Sequence, residues 1–205
     1  MRVNTNRWNR LRYTLYAPFY DVIVRRLARG RRRAVELLNV RDGERVLIVG
    51  CGTGLDLELL PRTAQITAVD LTPAMVEKTR ARAASLGMRV DARVMDAAAL
   101  ELDAASFDCV LLHLILAVVP DPQATARECA RVLRNGGRVS IFDKFLPDDR
   151  TPSLPRRMVN MLTNVFATEI NRRLGEIVAG TPLQIETSEP SVFGGVFRVI
   201  VATRT

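Results

Sequence analysis

The chain has 205 residues and a mass of 22.8 kDa, which is the size of one generous domain and enough to bury about 70% of the unfolded surface. Hydrophobic residues make up 48% of it and charged residues 25%, as in average globular proteins, which argues against a disordered chain, a collagen-like repeat or a coiled coil. The formal net charge of +8 is concentrated at one end, because residues 1–33 carry ten arginines and one acid while the remainder is nearly balanced.

The N-terminal region, residues 1–42, is predicted to form a basic, amphipathic helical cap with a break near Pro18 and a second helix through Gly30 to Leu38. A stripe of apolar residues at three- and four-residue spacing, with tyrosines and arginines beside it, comprises Trp8, Leu11, Leu15, Phe19 and Val22. Such a stripe is typical of a helix in a membrane interface, so we expect salt-sensitive contact with an anionic membrane surface. The alternative is a helix that simply packs on the domain.

Residues 43–143 alternate short β-branched runs with helical stretches, which is the pattern of βαβ units in a parallel sheet. One helix is predicted to begin at Thr72-Pro73 and another at Asp121-Pro122, and the second is expected to end at Asn135-Gly136-Gly137. The predicted strands are Arg45 to Val49, Gln65 to Val69, Arg89 to Val94, Cys109 to Leu112 and Arg138 to Phe142.

Residues 144–205 are predicted to contribute a helix over 152–179 that covers the substrate, and then an antiparallel hairpin of Leu183 to Thr187 and Val192 to Thr203. Together these elements predict one α/β domain over residues 1–205. Its fold would be a doubly wound, seven-stranded Rossmann-like sheet with a C-terminal antiparallel hairpin and an N-terminal helical cap.

Three cysteines, Cys51, Cys109 and Cys129, form no CxxC pair, so free thiols in a reducing compartment and no bound metal are expected. No signal peptide is predicted, and the longest apolar run, Cys109 to Pro120, is too short to span a bilayer. We therefore expect a cytoplasmic protein that attaches peripherally to a membrane.

The segment VLIVGCGTG, residues 46–54, predicts a buried strand that runs into a glycine loop and then a helix. Asp70 stands at the end of the next strand, where it could accept hydrogen bonds from a ribose, and Asp96 follows the third strand, where it could accept from an adenine amine. These features predict an adenosine-containing cofactor, and the GxGxG spacing differs from the GxGxxG of dinucleotide sites.

In chain order, VLIVGCGTG, AVDLTPAMVEKTRARA, FDCVLLHLILAVVPD and RVLRNGGRVSIFD resemble the motifs of class I S-adenosylmethionine-dependent methyltransferases. At one position the chain departs from that pattern, because Ile48 stands where the family usually has an acid. The resemblance implies S-adenosyl-L-methionine as cofactor, S-adenosyl-L-homocysteine (SAH) as product, and cofactor-binding roles for Gly50, Cys51, Gly52, Thr53, Gly54, Asp70, Leu71, Met75, Asp96, Ala97 and Leu112.

The flanking segments YAPFYD, GRRRAVELL and AVVPDP look like those of bacterial phospholipid N-methyltransferases, which act on phosphatidylethanolamine, and more distantly like quinone C-methyltransferases. This resemblance implies methyl transfer to the amine headgroup of a phospholipid. A quinone or a small soluble metabolite is the alternative acceptor. An RNA methyltransferase and a non-catalytic membrane-binding module are less favoured: LLHLILAVV lacks the Asn/Asp-Pro-Pro-aromatic run of amino-methylating nucleic-acid enzymes, so no nucleic-acid partner is expected.

Candidate residues for the acceptor come from three parts of the chain. Tyr16 and Tyr20 could stabilise a methylated ammonium by cation–π contact, or could pack the helix to the core. His113, the only histidine, follows the fourth strand and could act as a base, or could be a satisfied structural histidine. Lys144, Arg156 and Arg157 could bind a phosphate, or could face water.

Overall fold

The computed structural model of the chain describes residues 5–16, 27–146, 171–192 and 194–205. Two N-terminal helices, α1 (Asn6–Tyr16) and α2 (Ala28–Leu38), precede the sheet. The remaining elements are β1 (Arg45–Val49), a short 3-10 helix (Leu55–Leu59), β2 (Gln65–Asp70), α3 (Pro73–Ser85), β3 (Val90–Val94), β4 (Phe107–His113), α4 (Pro122–Val132), β5 (Leu133–Lys144), α5 (Leu174–Val178), β6 (Leu183–Pro190) and β7 (Phe197–Arg204).

The strands form one seven-stranded sheet in the order β3-β2-β1-β4-β5-β7-β6. The first five strands are mutually parallel, and β7 inserts antiparallel between β5 and β6. This arrangement confirms the predicted fold class and the C-terminal hairpin. The chain leaves β1 for β2 on one side and returns to β4 on the other, so the sheet has its topological switch point between β1 and β4, where open α/β sheets bind ligands.

Strand β1 is buried on both faces, as its unbroken apolar sequence predicts. Leu47 and Val49 pack into a cluster with α4 and α5, whereas Val46 and Ile48 pack into a second cluster with α2 and α3. Ile48 is 1% exposed, so the position where the family usually has an acid is part of the apolar core in this chain.

Gly30 allows α2 to lie directly on the sheet. A Cβ at this position would lie 2.3 Å from Phe142 Cζ on β5, so only glycine lets the helix approach this closely. Glycine normally destabilises a helix interior by about 1 kcal/mol, and here the close packing of α2 on Phe142 provides the reason for it.

Several predicted boundaries were wrong. Helix α4 ends at Val132 rather than at Asn135, because Leu133 already pairs with Phe107 of β4. The pairing then shifts register before Arg138, and Gly136 takes a φ of 72° within this irregular stretch. Gly136 and Gly137 therefore lie in an irregular stretch of β5 and do not end the helix. The element after the glycine loop is a 3-10 helix of 5 residues rather than an α-helix.

The structure describes only part of the predicted helix over 152–179. Its described end contains α5, whose Leu174 and Ile177 are buried against the same cluster as α4. The predicted break at Pro18 and the residues Phe19 and Val22 lie outside the described residues. Within the parts of the chain that are described, no helix has the length and apolar character needed to cross a membrane.

Candidate functional site

A cleft with an empty volume of about 650 Å³, which includes space open to solvent, lies at the carboxyl ends of the parallel strands. Four segments that follow β1, β2, β3 and β4 form its floor, and α1 contributes its roof. The residues that line it are Asn6, Asn9, Tyr13, Gly50, Gly52, Val69, Asp70, Leu71, Thr72, Met75, Met95, Asp96, Ala97, Leu114, Ile115, Val118, Val119 and Pro120.

The glycine loop is held in place by its neighbours in β2 and α3. The backbone N–H groups of Gly50 and Cys51 both donate to the carbonyl of Val69, at 2.8 and 2.9 Å. Thr79 Oγ donates to the carbonyl of Gly52 at 2.9 Å, and Arg82 Nε donates to the carbonyl of Thr53 at 2.8 Å. A strand and a helix thus fix the loop without any carboxylate from β1.

Gly50 is the position in this loop where a side chain has least room. Its φ is +71°, and a Cβ would lie 2.4 Å from Ile115 Cδ1. We expect Gly50→Ala to lower the free energy of unfolding by about 2–4 kcal/mol, from left-handed strain plus overpacking, and to weaken cofactor binding. Thermal unfolding and SAH titration measure the two effects.

Gly43→Ala is the matched control for this prediction. Gly43 has a φ of +78°, but a Cβ added there would meet nothing within 4 Å, so the same substitution adds backbone strain alone, about 1–2 kcal/mol. Equal losses of stability at both positions, with SAH binding retained in Gly50→Ala, would show that the contact with Ile115 has no importance for the cleft.

Asp70 lies at the end of β2, and both of its carboxylate oxygens organise the loop. Oδ2 accepts from the N–H of Gly52 and Oδ1 from the N–H of Thr72, each at 2.9 Å. Burial raises the pKa of Asp70, and the two backbone hydrogen bonds oppose that rise. An ionised carboxylate accepts about four hydrogen bonds and Asp70 lines the cleft, which is the chemistry that a ribose diol requires.

Asp96 follows β3 and receives hydrogen bonds from two directions. Its Oδ1 accepts from the N–H of Ala98 at 2.9 Å, and its Oδ2 accepts from Nδ2 of Asn6 at 2.6 Å. A second contact comes from Asn9, which is 5% exposed and whose Nδ2 donates to the carbonyl of Val118 at 3.0 Å. Helix α1 therefore lies across the cleft and is anchored to both of its sides.

Three cleft residues on α1 were missed by sequence reasoning: Asn6, Asn9 and Tyr13. Their spacing of three and four residues is the signal that could have found them, because it places them on one helix face. The apolar stripe of the same helix is the stronger pattern and makes the polar stripe beside it easy to overlook.

The structure brings seven of the predicted cofactor residues to the cleft, namely Gly50, Gly52, Asp70, Leu71, Met75, Asp96 and Ala97. The other four do not line it. Cys51 is 5% exposed, accepts from Thr79 Oγ, and has its pKa raised to about 12 by burial. Leu112 is fully buried in the core, and Thr53 and Gly54 continue the loop away from the cleft.

The prediction that His113 contacts substrate is not supported by its position. Its side chain is 1% exposed, it does not line the cleft, and both ring nitrogens are engaged. Nδ1 lies 3.1 Å from Asp56 Oδ1, and Nε2 lies 3.1 Å from Ser140 Oγ. The satisfied structural histidine, the alternative considered for this residue, describes what the structure shows.

Asp56 is the centre of a buried charged cluster beneath the glycine loop. Its Oδ1 accepts from Arg31 of α2 as well as lying next to His113, both at 3.1 Å. Burial alone would raise the pKa of Asp56, but the charges of Arg31 and His113 and their hydrogen bonds hold it well below its usual range. This cluster ties α2 to the 3-10 helix and to β4.

The other residues predicted to contact the acceptor either do not line the cleft or lie outside the part of the chain that the structure describes. Lys144 Nζ lies 5.6 Å from the centroid of the Phe197 ring, and the residue does not line the cleft. Tyr20, Arg156 and Arg157 lie outside the described residues, as does the side chain of Tyr16. Their roles stay predictions.

Comparisons with known proteins show the family of the chain. Residues 47–141 match the family described as "Methyltransferase domain". A phosphatidylethanolamine N-methyltransferase of Cereibacter sphaeroides is 31% identical over 169 residues, which is 82% of this chain and 83% of that protein. The chain belongs to the S-adenosylmethionine-dependent methyltransferases.

Other relatives of this methyltransferase have different acceptors in their names. A ubiquinone biosynthesis O-methyltransferase of Xanthomonas axonopodis pv. citri (strain 306) is 44% identical over 101 residues, but these are 48% of this chain and 42% of that protein. The structure of geranyl diphosphate C-methyltransferase from Streptomyces coelicolor A3(2), in complex with SAH, has a TM-score of 0.74 at 19% identity and covers 88% of this chain and 82% of that chain. The last likeness concerns the fold alone.

The cleft of this methyltransferase fits S-adenosyl-L-methionine, its methyl donor. Gly50 and Gly52 line the cleft without side chains, and a Cβ on Gly50 would collide with Ile115. Asp70 and Asp96 provide acceptors on two sides, and the buried Met75 and Met95 provide apolar wall between them. A nucleoside needs this combination of apolar enclosure and a few placed acceptors.

Proposed function

We propose that this methyltransferase transfers a methyl group from S-adenosyl-L-methionine to the amine headgroup of a phospholipid at a membrane surface. The observation that carries the proposal is the orientation of α1. This helix roofs the cleft with polar residues and presents apolar residues to solvent, the reverse of an ordinary docked helix. The name of the Cereibacter sphaeroides relative supports the same acceptor.

The outer face of α1 has the chemistry of an interfacial helix. Trp8 is 40% and Leu11 56% exposed, and Arg7 and Arg10 are exposed beside them. Exposed apolar side chains among arginines favour the boundary of an anionic bilayer. With α1 on the lipid surface, only this one helix would separate the cleft from the headgroups, so an amine headgroup would be close to the cleft.

Seven residues of the cleft are proposed to hold the cofactor. Asp70 binds the ribose hydroxyls and Asp96 the adenine amine, while the backbone of Gly50 and Gly52 lies against the methionine part. Leu71, Met75 and Ala97 enclose the nucleoside. When bound, S-adenosyl-L-methionine supplies a methyl group activated on a sulfonium, and the main tasks left to the chain are alignment and exclusion of water.

Tyr13 is proposed to contact the acceptor amine. Among the titratable side chains that line the described cleft, Asp70 and Asp96 are assigned to the cofactor, and Tyr13 is the third. Its ring can stabilise an ammonium through cation–π contact. Tyr16 and Tyr20, predicted for this role from the sequence, stay proposed for it.

The acceptor can be identified by incubating the enzyme with radiolabelled S-adenosyl-L-methionine. Vesicles of phosphatidylethanolamine, a demethylated quinone and RNA are offered in separate reactions. We expect label in the lipid fraction, as monomethylated or further methylated phosphatidylethanolamine. Label in the quinone alone, or in RNA alone, would contradict the proposed acceptor while leaving the methyltransferase activity established.

Membrane contact through α1 is tested with the double variant Trp8→Gln, Leu11→Gln. We expect its partitioning onto anionic vesicles to fall by about 10–100-fold, because the loss of two interfacial apolar side chains costs on the order of 1.5–3 kcal/mol in total. Wild-type binding should also weaken as salt is raised. Co-sedimentation with vesicles at low and high salt measures both effects.

Ile185→Gln is the matched control, because Ile185 is 39% exposed but lies on β6, an edge strand of the sheet. Its vesicle binding should equal that of the wild type. If the wild-type protein stays in the supernatant with every vesicle, α1 is a lid only and the membrane part of the proposal fails.

A quinone is the second candidate acceptor. The local identity of 44% to a ubiquinone biosynthesis O-methyltransferase favours it over other amphiphiles. The region of that match is about half of this chain, so it supports a shared cofactor core more strongly than a shared acceptor site. A quinone dissolved in a bilayer would also use the membrane contact of α1, so the labelling experiment, not vesicle binding, separates the two acceptors.

A further inference from the structure

Asn6 joins α1 to the cofactor cleft through one carboxylate. Its Nδ2 donates to Asp96 Oδ2 at 2.6 Å, although the two residues are 90 positions apart in the chain. The other oxygen of Asp96 accepts from the N–H of Ala98 at 2.9 Å. Each oxygen of this carboxylate therefore has one described protein donor.

These hydrogen bonds orient Asp96 without using up its capacity. An ionised carboxylate accepts about four hydrogen bonds, so one acceptor position on each oxygen stays available to a nucleoside donor. Asn6 supplies the side-chain donor that fixes the plane of the carboxylate, and Ala98 supplies the backbone donor. A carboxylate fixed in this way loses less conformational freedom when a ligand binds.

A second contact keeps α1 at the cleft. One helical turn after Asn6, Nδ2 of Asn9 donates to the carbonyl of Val118 at 3.0 Å. Asn6 and Asn9 thus attach the helix to segments that follow β3 and β4. Between these two attachments α1 covers the cleft. A change in the position of Asp96 would therefore alter a hydrogen bond that holds the helix.

We propose that Asn6 is a positioning residue for the cofactor, which acts by holding Asp96, and that cofactor binding in return stabilises α1 on the cleft. This proposal rests on the proposed adenosine-binding role of Asp96. The two effects are one coupling free energy, so they must be equal in size. The same helix presents Trp8 and Leu11 to the lipid, so a loaded cleft would hold the membrane-binding face in one fixed orientation.

Three variants of Asn6 distinguish positioning from a merely structural role. Asn6→Leu keeps the approximate size but has no donor, and Asn6→Asp places a second carboxylate beside Asp96. Asn6→Gln restores the amide on a longer side chain. Thr14→Ala is the control on the same helix, because Thr14 is exposed, donates its hydroxyl to the carbonyl of Arg10 and does not line the cleft.

SAH binding is measured by calorimetry on the full chain without lipid. We expect affinity to fall about tenfold in Asn6→Leu, as for loss of a hydrogen bond to a charged group, and further in Asn6→Asp. Asn6→Gln and Thr14→Ala should remain within about threefold of the wild type. Affinity in Asn6→Leu equal to that of the wild type, or an equal loss in Asn6→Leu and Asn6→Gln, would overturn the proposal.

Trp8 offers a direct readout of the coupling, because it is the single tryptophan of the chain and stands on α1. Its fluorescence anisotropy should rise when SAH is added to the wild type and should change little in Asn6→Asp at the same occupancy. An unchanged signal in the wild type at saturating SAH would overturn the coupling. If SAH does not bind the wild type at all, the proposed cofactor site itself fails, which is a different result.

Discussion

Replacing Asp70 with alanine is expected to weaken SAH binding by at least about 100-fold, since two hydrogen bonds to a charged group contribute roughly 3 kcal/mol or more. Asp70 is the acceptor for the N–H groups of Gly52 and Thr72 and the proposed acceptor for the ribose. The substitution therefore removes a ligand contact and also releases the glycine loop. Calorimetric titration with SAH measures the loss.

A pH titration of the wild type tests the same carboxylate without a substitution. Burial raises the pKa of Asp70 above its ordinary value of 3.8, so the group takes up a proton at a higher pH than an exposed aspartate. A protonated carboxyl has one donor and fewer acceptor sites. SAH affinity should therefore fall as the pH is lowered from neutral towards that raised pKa.

Asp91→Asn is the matched control for Asp70→Ala. Asp91 lies on β3, is half exposed and pairs with Arg93, so its substitution should leave SAH affinity within about twofold, as for a surface ion pair. SAH binding by Asp70→Ala at wild-type strength would show that the cofactor does not use the end of β2, and the assignment of the cleft would have to be abandoned.

Replacing Asp56 with alanine is expected to lower the free energy of unfolding by about 3–5 kcal/mol, because it removes the buried carboxylate that Arg31 and His113 both contact. Asp56 is 4% exposed, and its contacts with Arg31 and His113 join three elements of the fold. Urea denaturation of wild type and variant gives the difference. A loss below about 1 kcal/mol would mean that the cluster contributes no more than a surface ion pair.

The pH dependence of this difference has a definite sign. The pKa of Asp56 is held below its ordinary value of 3.8, so the unfolded chain binds the proton more readily than the folded protein. The stabilisation by Asp56 is therefore fully present above about pH 4 and is lost as the pH falls through the lower, folded-state pKa. The stability difference between wild type and Asp56→Ala should therefore shrink as the pH falls below about pH 4.

Glu189→Ala provides the control for Asp56→Ala. Glu189 binds Arg33 of the same helix α2 through two hydrogen bonds, at 3.0 and 2.9 Å, but both side chains are exposed. Solvent screens such a pair, so its loss should change stability far less than the loss of Asp56.

His113→Gln, like Asp56→Ala, should lower the free energy of unfolding. The methyl-transfer rate per folded molecule should be retained in His113→Gln.

The parallel strands and the cofactor loop were predictable because their signals are local. A run such as Arg45 to Val49 is apolar on both faces, and glycines at 50, 52 and 54 each take positive φ, so sequence and backbone geometry agree residue by residue. Asp70 and Asp96 were also predictable, since the carboxyl ends of parallel strands meet at one edge of the sheet.

The sequence is a poor guide where the role of a residue or the end of a helix depends on a contact with a distant part of the chain. His113 ends a strand at the ligand-binding edge, which suggested catalysis, but the partners that occupy its ring come from Asp56 and Ser140, 57 and 27 residues away. The glycines at 136 and 137 favour a helix end by local preference, yet pairing of Leu133 with Phe107 ends α4 earlier. Neither partner is visible in the local sequence.

Hydrophobic periodicity and backbone freedom are properties of short segments, so the class of the fold, the glycine loop and the positions of the two carboxylates could be predicted from the sequence. Tertiary contacts were needed to establish which face of α1 meets the cleft. The helix has an apolar stripe and a polar stripe, and local periodicity alone allows either one to face the domain. Acceptors at Asp96 and Val118, brought together by the sheet, bind Asn6 and Asn9, which leaves Trp8 and Leu11 exposed on the other face.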